Sequence, residues 1–375
     1  MTRKLHGIRI VPLLIAIGLI LPACAPTPTA TEAPEAPAAT EAPEAAPVTE
    51  EPAAAVAPED IRIVVVNYLA GNPFFVPLEA GARDAAELYG IDFVYVAPER
   101  PDLQAQTAMI DAAVESRADG IVVVCGSGPD SMNPAIDRAV ERGVIVATTN
   151  VDCPDSMRSF TVTADFEEEG RISADLLAAS VEAGLVAEPV RIAAGLCVQG
   201  QYPLNTRRDF FWNTLDERGV VDWVNLGETN TGLEASTNLS AWESITMAHP
   251  DVNFLYGTCG MDARAAGQAA ERSGNPDIRV AGYDMLPETL ESIKSGRTLW
   301  TLGQNPYYQG YAPVELIVLH LLTGAPLPSG LVPAQTEIIT AQVGVYTDAA
   351  AQHPTALLQE DIDYIIQREA QYYTH

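Results

Sequence analysis

Short apolar runs and longer amphipathic stretches alternate along the chain from Ile61 onward. Five apolar runs come first, and they read "IRIVVVNY", "DFVYVA", "DGIVVVCG", "GVIVATTN" and "SFTVTAD". Helical periodicity separates them over residues 75–89, 103–117 and 134–142. Strands that are apolar throughout, with helices between them, are typical of a parallel sheet covered on both faces. This part of the pattern therefore predicts one α/β lobe.

A second series with the same rhythm follows a long helical pattern over residues 167–182. Its apolar runs read "VRIAAGLC", "VDWVNLG", "VNFLYGTC", "IRVAGYD" and "LWTLGQN", and helical periodicity lies near residues 206–218, 234–248, 263–273 and 287–295. Two series of strands joined by a long helix indicate two similar α/β lobes, each a parallel sheet flanked by helices.

The first 23 residues have the pattern of a signal peptide. Basic residues precede an apolar run over residues 10–21, which is short for a membrane span but suits a secretion signal. The segment "LPAC" then resembles a lipobox, in which Cys24 becomes the lipidated first residue, although Pro22 replaces the small residue usual there. An ordinary signal peptide or a short uncleaved anchor are the alternatives. The lipobox interpretation predicts a chain outside the cytoplasm, held to the cell membrane by a lipid.

Residues 24–60 have a composition that cannot form a core. Positions 25–60 contain eight prolines and eight acidic residues, with no Lys, Arg or aromatic residue. Such segments bury too little apolar surface to fold. We predict a disordered tether that holds the lobes away from a membrane.

The charge balance is strongly acidic. The formal net charge of the chain is −29, and loss of the three basic residues in positions 1–23 would leave 18 Lys and Arg against 50 Asp and Glu, or −32. Because nucleic-acid binding needs basic surface to meet phosphate, nucleic acid is not an expected partner.

Polar side chains gather where the predicted strands end. These residues are Asn67, Tyr68, Asn72, Cys125, Asn150, Asp152 and Asp165 in the first series, and Cys197, Gln199, Cys259, Asp284 and Gln304 in the second. Ligands of parallel sheets bind beyond the carboxyl ends of the strands. Amides and carboxylates without lysine favour a neutral, hydroxyl-rich ligand over a phosphate or a metal ion.

The segment "NPFF" at residues 72–75 places two aromatic rings at a strand-to-helix corner. Pro73 suits a first helical turn and Asn72 a helix N-cap. A ring at this corner can offer its face to the CH-rich side of a sugar. We expect Phe74 to contact a ligand, whereas Phe75 either contacts it or packs under the helix.

Four motifs in order resemble one known family. They are "NPFF", "AHPDVNFLYGTCGMDARAAG", "VAGYD" and "GQNPYYQGYAPVELI", and the resemblance covers about residues 61–340. Together they resemble the ribose-type periplasmic binding proteins, the sugar-capturing subunits of ABC importers. The resemblance implies two α/β lobes, residues 61–165 with 305–332 and residues 166–304 with 333–375, the latter including a C-terminal helix. It implies hinge crossings near Asp165, Asn305 and Pro333.

The resemblance also implies which residues meet a sugar or polyol. Asn72, Phe74 and Phe75 would reach it from the first lobe, and Arg207 from the second. Asp284 would accept hydroxyl hydrogen bonds, as would Gln304 at the hinge, and no cofactor or metal is implied. An ABC permease is the implied partner, and we expect a monomer.

The chain departs from the family pattern at several site positions. Tyr68 replaces a serine near the first turn, Asn150 and Asp152 stand in for an Asp-Arg pair, and Met261 replaces the asparagine beside Asp262. These differences argue against ribose itself and leave the mechanism intact.

The strand order of the family places four cysteines in two neighbouring pairs, Cys125 with Cys153 and Cys197 with Cys259. Neighbouring strands lie about 4.8 Å apart, which is within reach of a disulfide. We therefore predict one bridge in each lobe, with four buried thiols as the alternative.

Other classes of function fit less well. "GSGPDS" lacks the third glycine of a dinucleotide loop, the histidines lack metal spacing, and no catalytic constellation is apparent, so an enzyme is not expected. A repressor with these lobes would begin with a basic helix-turn-helix. A nucleoside or furanosyl signal molecule is the alternative ligand, and a chemosensory receptor module stays open, as do ligand contacts by Trp300 and Tyr307.

Overall fold

The computed structural model describes residues 57–126 and 128–373. The predicted signal peptide, Cys24 and nearly all of the tether lie outside these residues. At the end of the predicted tether, Pro58–Asp60 form a 3-10 turn just before the first strand. Within the described ranges, no helix combines the length and the apolar run needed to cross a membrane.

The strands and helices alternate as the apolar pattern predicts. The strands are β1 (Arg62–Val66), β2 (Asp92–Val96), β3 (Gly120–Val123), β4 (Ile145–Thr149), β5 (Phe160–Thr163), β6 (Val190–Leu196), β7 (Trp223–Asn230), β8 (Phe254–Gly257), β9 (Arg279–Tyr283), β10 (Thr298–Gly303), β11 (Gly330–Pro333), β12 (Thr336–Ile339) and β13 (Ala356–Gln359). The helices are α1 (Phe75–Tyr89), α2 (Leu103–Glu115), α3 (Pro129–Glu141), α4 (Phe166–Glu182), α5 (Tyr202–Arg218), α6 (Ala235–Ala248), α7 (Gly260–Ser273), α8 (Pro287–Lys294), α9 (Pro306–Thr323), α10 (Val343–Ala350) and α11 (Ile362–Tyr372).

These strands form two sheets, one in each lobe. The first has the order β11-β5-β4-β3-β1-β2, and all its neighbours run parallel. The second has the order β13-β12-β10-β9-β8-β6-β7, in which β10 and β12 are antiparallel and the other neighbours parallel. The fold is therefore the two-lobed α/β architecture that the sequence predicts.

Alternate side chains of β1 show why its apolar run is continuous. Ile63 and Val65 belong to a core with residues of α1 and α9. Val64 and Val66 belong to a second core with residues of α2 and α3 on the opposite face. Because helices cover both faces of the sheet, the four positions of this strand after Arg62 are all apolar and buried.

The second lobe is built on the same principle with larger side chains. On one face, Phe211 of α5 and Trp300 of β10 are fully buried with residues of α4 and α10. On the other face, Trp242 of α6 packs with the small side chains of α7. A Cβ atom at Gly195 of β6 would come within 2.2 Å of the Trp242 ring, so this position admits glycine alone.

The chain crosses between the sheets at three described places. The crossings lie between β5 and α4, between β10 and α9, and between β11 and β12. They coincide with the predicted neighbourhoods of Asp165, Asn305 and Pro333, except that Pro333 still pairs with Thr163 in the first sheet. Each crossing lies between a strand and the next element, which is the kind of position at which a few residues can serve as a hinge.

Candidate ligand-binding site

A cavity lies where the carboxyl ends of strands from both sheets meet, which is the expected position for a ligand of parallel sheets. Its lining residues are Tyr68, Asn72, Pro73, Phe74, Phe75, Asn150, Val151, Cys197, Gln201, Pro203, Leu204, Arg207, Leu233, Cys259, Gly260, Met261, Asp284, Leu286 and Gln304. Eight of the ten residues predicted to bind ligand are among them, and Asp152 and Asp262 are not.

The aromatic corner between β1 and α1 forms one wall of this cavity. The Asn72 side-chain oxygen accepts a hydrogen bond from the Phe74 N–H at 3.1 Å, so Asn72 caps the turn that precedes α1. Phe75 is 5% exposed, and its ring meets the rings of Tyr68 and Phe74 edge-on. Phe75 is therefore both a core residue and a wall residue, whereas the half-buried Phe74 presents more of its ring to the cavity.

Tyr68 lies beneath this corner and reaches toward the other lobe. Its ring covers Gly126, where a Cβ atom would come within 2.2 Å of the ring. Its hydroxyl shares a hydrogen bond with the Gln201 side chain, although burial dominates and raises the pKa of Tyr68. The phenol is thus neutral and can both donate and accept.

Asn150 follows β4 in a left-handed conformation, with φ of 58°. Asparagine tolerates this region better than most residues. Its amide nitrogen donates to the Gln309 side-chain oxygen at 3.1 Å, and Gln309 in turn donates to the Gln304 carbonyl at 2.7 Å. These two hydrogen bonds connect Asn150 to the hinge crossing at Gln304 and orient its side chain. The Oδ1 atom of Asn150 is then the atom that can accept a hydrogen bond from a ligand.

Arg207 projects from α5 and is 2% exposed. Its Nε donates to Glu169 at 2.7 Å and its Nη1 to the Thr258 carbonyl at 3.1 Å. The guanidinium carbon lies 4.1 Å and 5.0 Å from the ring centroids of Tyr283 and Phe166. The buried Nη2 has no protein partner, so it is the donor that a ligand can take.

Glu169 orients this guanidinium and was not anticipated from the sequence. It sits in the first turn of α4 and is fully buried. Burial raises the pKa of Glu169 to about 7, while the charge and hydrogen bonds of Arg207 oppose the rise. The run of three glutamates at 167–169 resembles a solvated helix start, and nothing in that run marks its third member as internal.

Asp284 directly follows β9 and lines the same cavity as Arg207. Its backbone is left-handed, with φ of 69°, and its Oδ1 accepts from the Gln304 amide at 2.6 Å. A Cβ atom at Gly260 would lie 2.6 Å from Asp284 Oδ2, so glycine there lets the carboxylate approach the N-terminus of α7. Burial raises the pKa of Asp284, and Arg207 opposes that rise.

Asp152 lies outside the cavity, contrary to the expectation that it meets ligand. Arg158 binds its two carboxylate oxygens through two nitrogens, and the Thr148 hydroxyl donates to the same group. An arginine six residues along the chain thus satisfies the carboxylate that the sequence assigned to a ligand. Asp152 braces the turn around Cys153 instead.

Asp262 is likewise turned away from the cavity. It is fully buried, and its Oδ1 accepts from Thr231, Asn238 and Trp242. Burial raises the pKa of Asp262 to about 6, and these donors oppose the rise. Successive helix positions differ by about 100°, so Met261 lines the cavity while Asp262 faces α6 and β8. Asp262 therefore joins elements of the second lobe.

Disulfides join Cys125 to Cys153 and Cys197 to Cys259, the expected pairing with one bridge in each lobe. The second bridge lines the cavity. Cys197, Cys259 and Asp262 also form the one cluster among the described residues with a spacing suited to a metal ion. Because both sulfurs are bonded to each other, that cluster is not available as a metal site here.

Two residues whose roles stayed open lie away from the cavity. Trp300 is fully buried in the core of the second lobe. Tyr307 donates to Asp84 at 2.8 Å and stacks on Tyr372 of α11, with 5.6 Å between ring centroids. Tyr307 therefore contributes to contact between the lobes.

Comparisons with known proteins agree with this geometry. A family model described as a periplasmic binding protein domain matches residues 63–326. The xylose/arabinose-binding protein XylF of Sulfolobus acidocaldarius is 28% identical over 273 residues, which cover 70% of this chain and 66% of XylF. The ribose import binding protein RbsB of Bacillus subtilis is 24% identical over 244 residues, covering 65% of this chain and 76% of RbsB.

Solved structures show the same fold. A solute-binding protein of an ABC transporter from Burkholderia graminis, crystallised with D-arabinose, superposes with a TM-score of 0.70 at 22% identity, covering 76% of this chain and 97% of that one. A periplasmic ribose ABC transporter protein from Conexibacter woesei superposes with a TM-score of 0.67 at 23% identity, covering 80% and 99%.

Proposed function

Because this chain belongs to the periplasmic binding protein family, we propose that it captures a sugar or polyol between its lobes and delivers it to an ABC importer. The observation that carries the proposal is the convergence of side chains from both sheets on one cavity. The relatives are named as binding proteins for small sugars rather than as enzymes, which supports a role in capture.

The chemistry of the cavity suits a neutral hydroxylated ring. Arg207 offers one buried N–H that lacks a protein partner. Asp284 offers a carboxylate that can accept from hydroxyl groups, and Asn150 adds an amide oxygen. The ring of Phe74 can cover a face made of C–H groups. Donors, acceptors and an aromatic face together match the rim and the face of a monosaccharide.

Transport through hinge closure is the mechanism we propose. Each lobe supplies part of the polar contacts, and three crossings connect the lobes. Ligand that contacts both lobes favours the arrangement in which they are close. Small-angle scattering should show a smaller radius of gyration with saturating ligand, and an unchanged profile would argue for a rigid site.

The lipid anchor is part of the same proposal and depends on sequence alone. A diacylglyceryl group on Cys24 would hold the acidic tether at the outer side of the membrane. Expression of the full chain in a bacterial host with radiolabelled palmitate should label the wild type. Cys24→Ser should abolish the label, and equal labelling of the two would reject the anchor.

Thermal-shift titration with pentoses, hexoses, polyols and nucleosides tests the ligand class. A ligand that binds the folded chain alone raises the free energy of unfolding by about 2.7 kcal/mol at 100 times its dissociation constant. At the same ligand concentration, Asp284→Asn should greatly reduce the shift, whereas Asp111→Asn, on the exposed face of α2, should retain it. A shift with amino acids or phosphates but with no sugar or polyol would overturn the proposal.

A further inference from the structure

The polar and apolar residues of the cavity are not mixed evenly. A second groove adjoins the cavity, and the two share Asn72, Pro73, Leu233, Met261 and Leu286. Four of the charged and amide groups expected to hold a sugar line the cavity but not the groove, namely Asn150, Arg207, Asp284 and Gln304, whereas the amide of Asn72 lines both. The cavity therefore has a polar inner part and an apolar boundary that opens toward the groove.

Three side chains of the second lobe make this boundary. Leu233 follows β7, Met261 lies in the first turn of α7, and Leu286 precedes α8. Each is partly exposed, so each has surface left for a ligand. Past them the groove is lined by Leu69 and Tyr373 and, farther out, by the charged residues Glu99, Glu234, Arg264 and Glu288, so the apolar surface is confined to the boundary itself.

The boundary is supported from behind by a small apolar cluster. Leu233 and Met261 pack against buried Leu204 and the Cys197–Cys259 bridge. Because the bridge joins the ends of β6 and β8, the two side chains rest on a covalently fixed base. None of these five side chains can pair with a hydroxyl as an amide or a carboxylate does.

An unsubstituted sugar carries a hydroxyl on nearly every carbon. A hydroxyl held against Leu233 and Met261 would lose water without gaining a partner. An apolar group at the same place would instead be removed from water and would fill the boundary. The boundary therefore favours a sugar with an apolar group at this one position over the same sugar with a hydroxyl there.

Given the proposed sugar-binding function, on which this inference rests, we propose that the preferred ligand is a monosaccharide with an apolar substituent. Its hydroxylated ring lies between Arg207 and Asp284. Its substituent lies between Leu233, Met261 and Leu286 and points toward the groove. A deoxy sugar with a terminal methyl group and a glycoside with a short apolar aglycone share this chemistry.

Calorimetry on the wild-type chain with matched ligand pairs tests the proposal. One arm compares deoxy sugars with their hydroxylated partners, L-rhamnose with L-mannose and L-fucose with L-galactose. A second arm compares methyl glycosides of arabinose, xylose and ribose with the free sugars. We expect about a tenfold or greater preference for the substituted member in one arm, since a single group in an apolar pocket changes affinity by about 10–200-fold. The arm with the preference identifies the source of the substituent.

A substitution at Met261 tests whether this boundary causes the preference for the substituted sugar. Met261→Asn places at the boundary the residue found there in the family pattern, and it should reduce the ratio of the two affinities by about tenfold, because the substituted sugar loses more affinity than the free sugar does. Met247→Asn is the matched control, because Met247 lies on α6 of the same lobe and is 74% exposed. It should leave the preference unchanged.

The outcomes separate the inference from the function on which it rests. If free sugars bind as tightly as their substituted partners in both arms, the inference is overturned and sugar binding stands. If no sugar of any kind binds, both are overturned. If a preference exists but Met261→Asn preserves it, the assignment of the substituent to this boundary is wrong.

Discussion

The two lobes share a fold, yet they hold their polar groups in different ways. Among the described residues, every buried acidic or basic side chain belongs to the second lobe, and these are Glu169, Asp175, Arg207, Asp262, Glu337, His353 and Glu369. The buried polar side chains of the first lobe are amides and hydroxyls, such as Asn67, Gln106 and Asn150. The second lobe therefore holds charged side chains in fixed orientations, whereas the first lobe presents neutral aromatic and amide side chains.

This difference assigns different tasks to the two walls of the site. A buried charge is tolerated where partners hold it, and such partners also fix its direction. Arg207 is held by Glu169 and by two aromatic rings before any ligand arrives. The rings of the first lobe need no such network, because an aromatic face is weakly directional. Recognition of hydroxyl positions should therefore depend on the second lobe and overall affinity on both.

The largest expected effect comes from removing the buried cation. Arg207→Ala should lower the free energy of unfolding by about 3–5 kcal/mol, because it leaves the buried Glu169 without its partner, and it should abolish detectable ligand binding. Urea denaturation measures the first effect and calorimetry the second. The control is Arg138→Ala, whose ion pair with Asp111 in the first lobe is about half exposed on both sides and should contribute about 0–1 kcal/mol. Equal losses in the two variants would contradict the contrast between the lobes.

The disulfides provide the next contrast. Replacing either pair by alanines should lower the free energy of unfolding by about 2–4 kcal/mol, with the larger loss for Cys197 and Cys259, which are 62 residues apart rather than 28. Because that bridge lines the cavity, its loss should also weaken ligand binding, whereas loss of Cys125–Cys153 should not. Chemical denaturation and calorimetry on both double variants would show this. If the two double variants lose the same amount of affinity, the Cys197–Cys259 bridge does not maintain the cavity wall for ligand binding.

Asp284→Asn tests the hydroxyl-accepting carboxylate without changing its shape. The affinity should fall by about 1.5–3 kcal/mol, because hydrogen bonds to a charged group are stronger than those between neutral groups. Asn150→Ala, the matched change in the first lobe, should lose about 0.5–1.5 kcal/mol. Calorimetric titration of both variants gives the comparison, and a greater loss for Asn150→Ala would reverse the proposed division of tasks.

The sequence predicts the fold well because its strands are uniformly apolar. The predicted bounds of α1 agree with the observed Phe75–Tyr89, and Gly90 ends the helix in a left-handed conformation, but its N-cap is Phe74 rather than the expected Asn72. The predicted start of α3 at residue 134 is too late, because the observed helix begins at Pro129 and contains Pro134. Proline is favoured at the first position of a helix, and Pro129 occupies that position, whereas Pro134 is a second proline inside the same helix.

The site is predicted less completely, because strand position does not determine side-chain direction. Arg207 and Asp284 line the cavity as expected. Asp262 also follows a strand, but its place on α7 turns it toward Trp242. Nothing in the sequence indicates the opposite kind of residue, a buried one that looks solvated. A glutamate in a first helical turn is usually exposed, but Glu169 is buried beside Arg207, which lies 38 residues along the chain. Such pairings depend on tertiary contacts that no local pattern contains.

The two phenylalanines of the aromatic corner should differ in what they support. Phe74→Ala should weaken ligand binding by about 1–2 kcal/mol and should destabilise the fold less than Phe75→Ala, because its half-buried ring lines the cavity and packs only at the edge of the core. Phe75→Ala should destabilise the fold by about 3–5 kcal/mol, because that ring is part of the core. Thermal unfolding without ligand, followed by titration, separates the two effects. Strong destabilisation by Phe74→Ala would place both rings in the core.

The smallest expected effect concerns a contact between the two walls. The Tyr373 hydroxyl, just beyond α11 of the second lobe, donates to the Pro73 carbonyl of the aromatic corner at 3.1 Å. This bond holds the corner beside the second lobe, so Tyr373→Phe should weaken ligand binding by about 0.5–1 kcal/mol, or about two- to fivefold, chiefly through faster dissociation. Tyr364→Phe is the control, because it removes a hydroxyl from α11, the helix that Tyr373 follows, at a residue that is 57% exposed. Stopped-flow dissociation rates that are equal in the two variants would mean that the corner needs no support from the C-terminal helix.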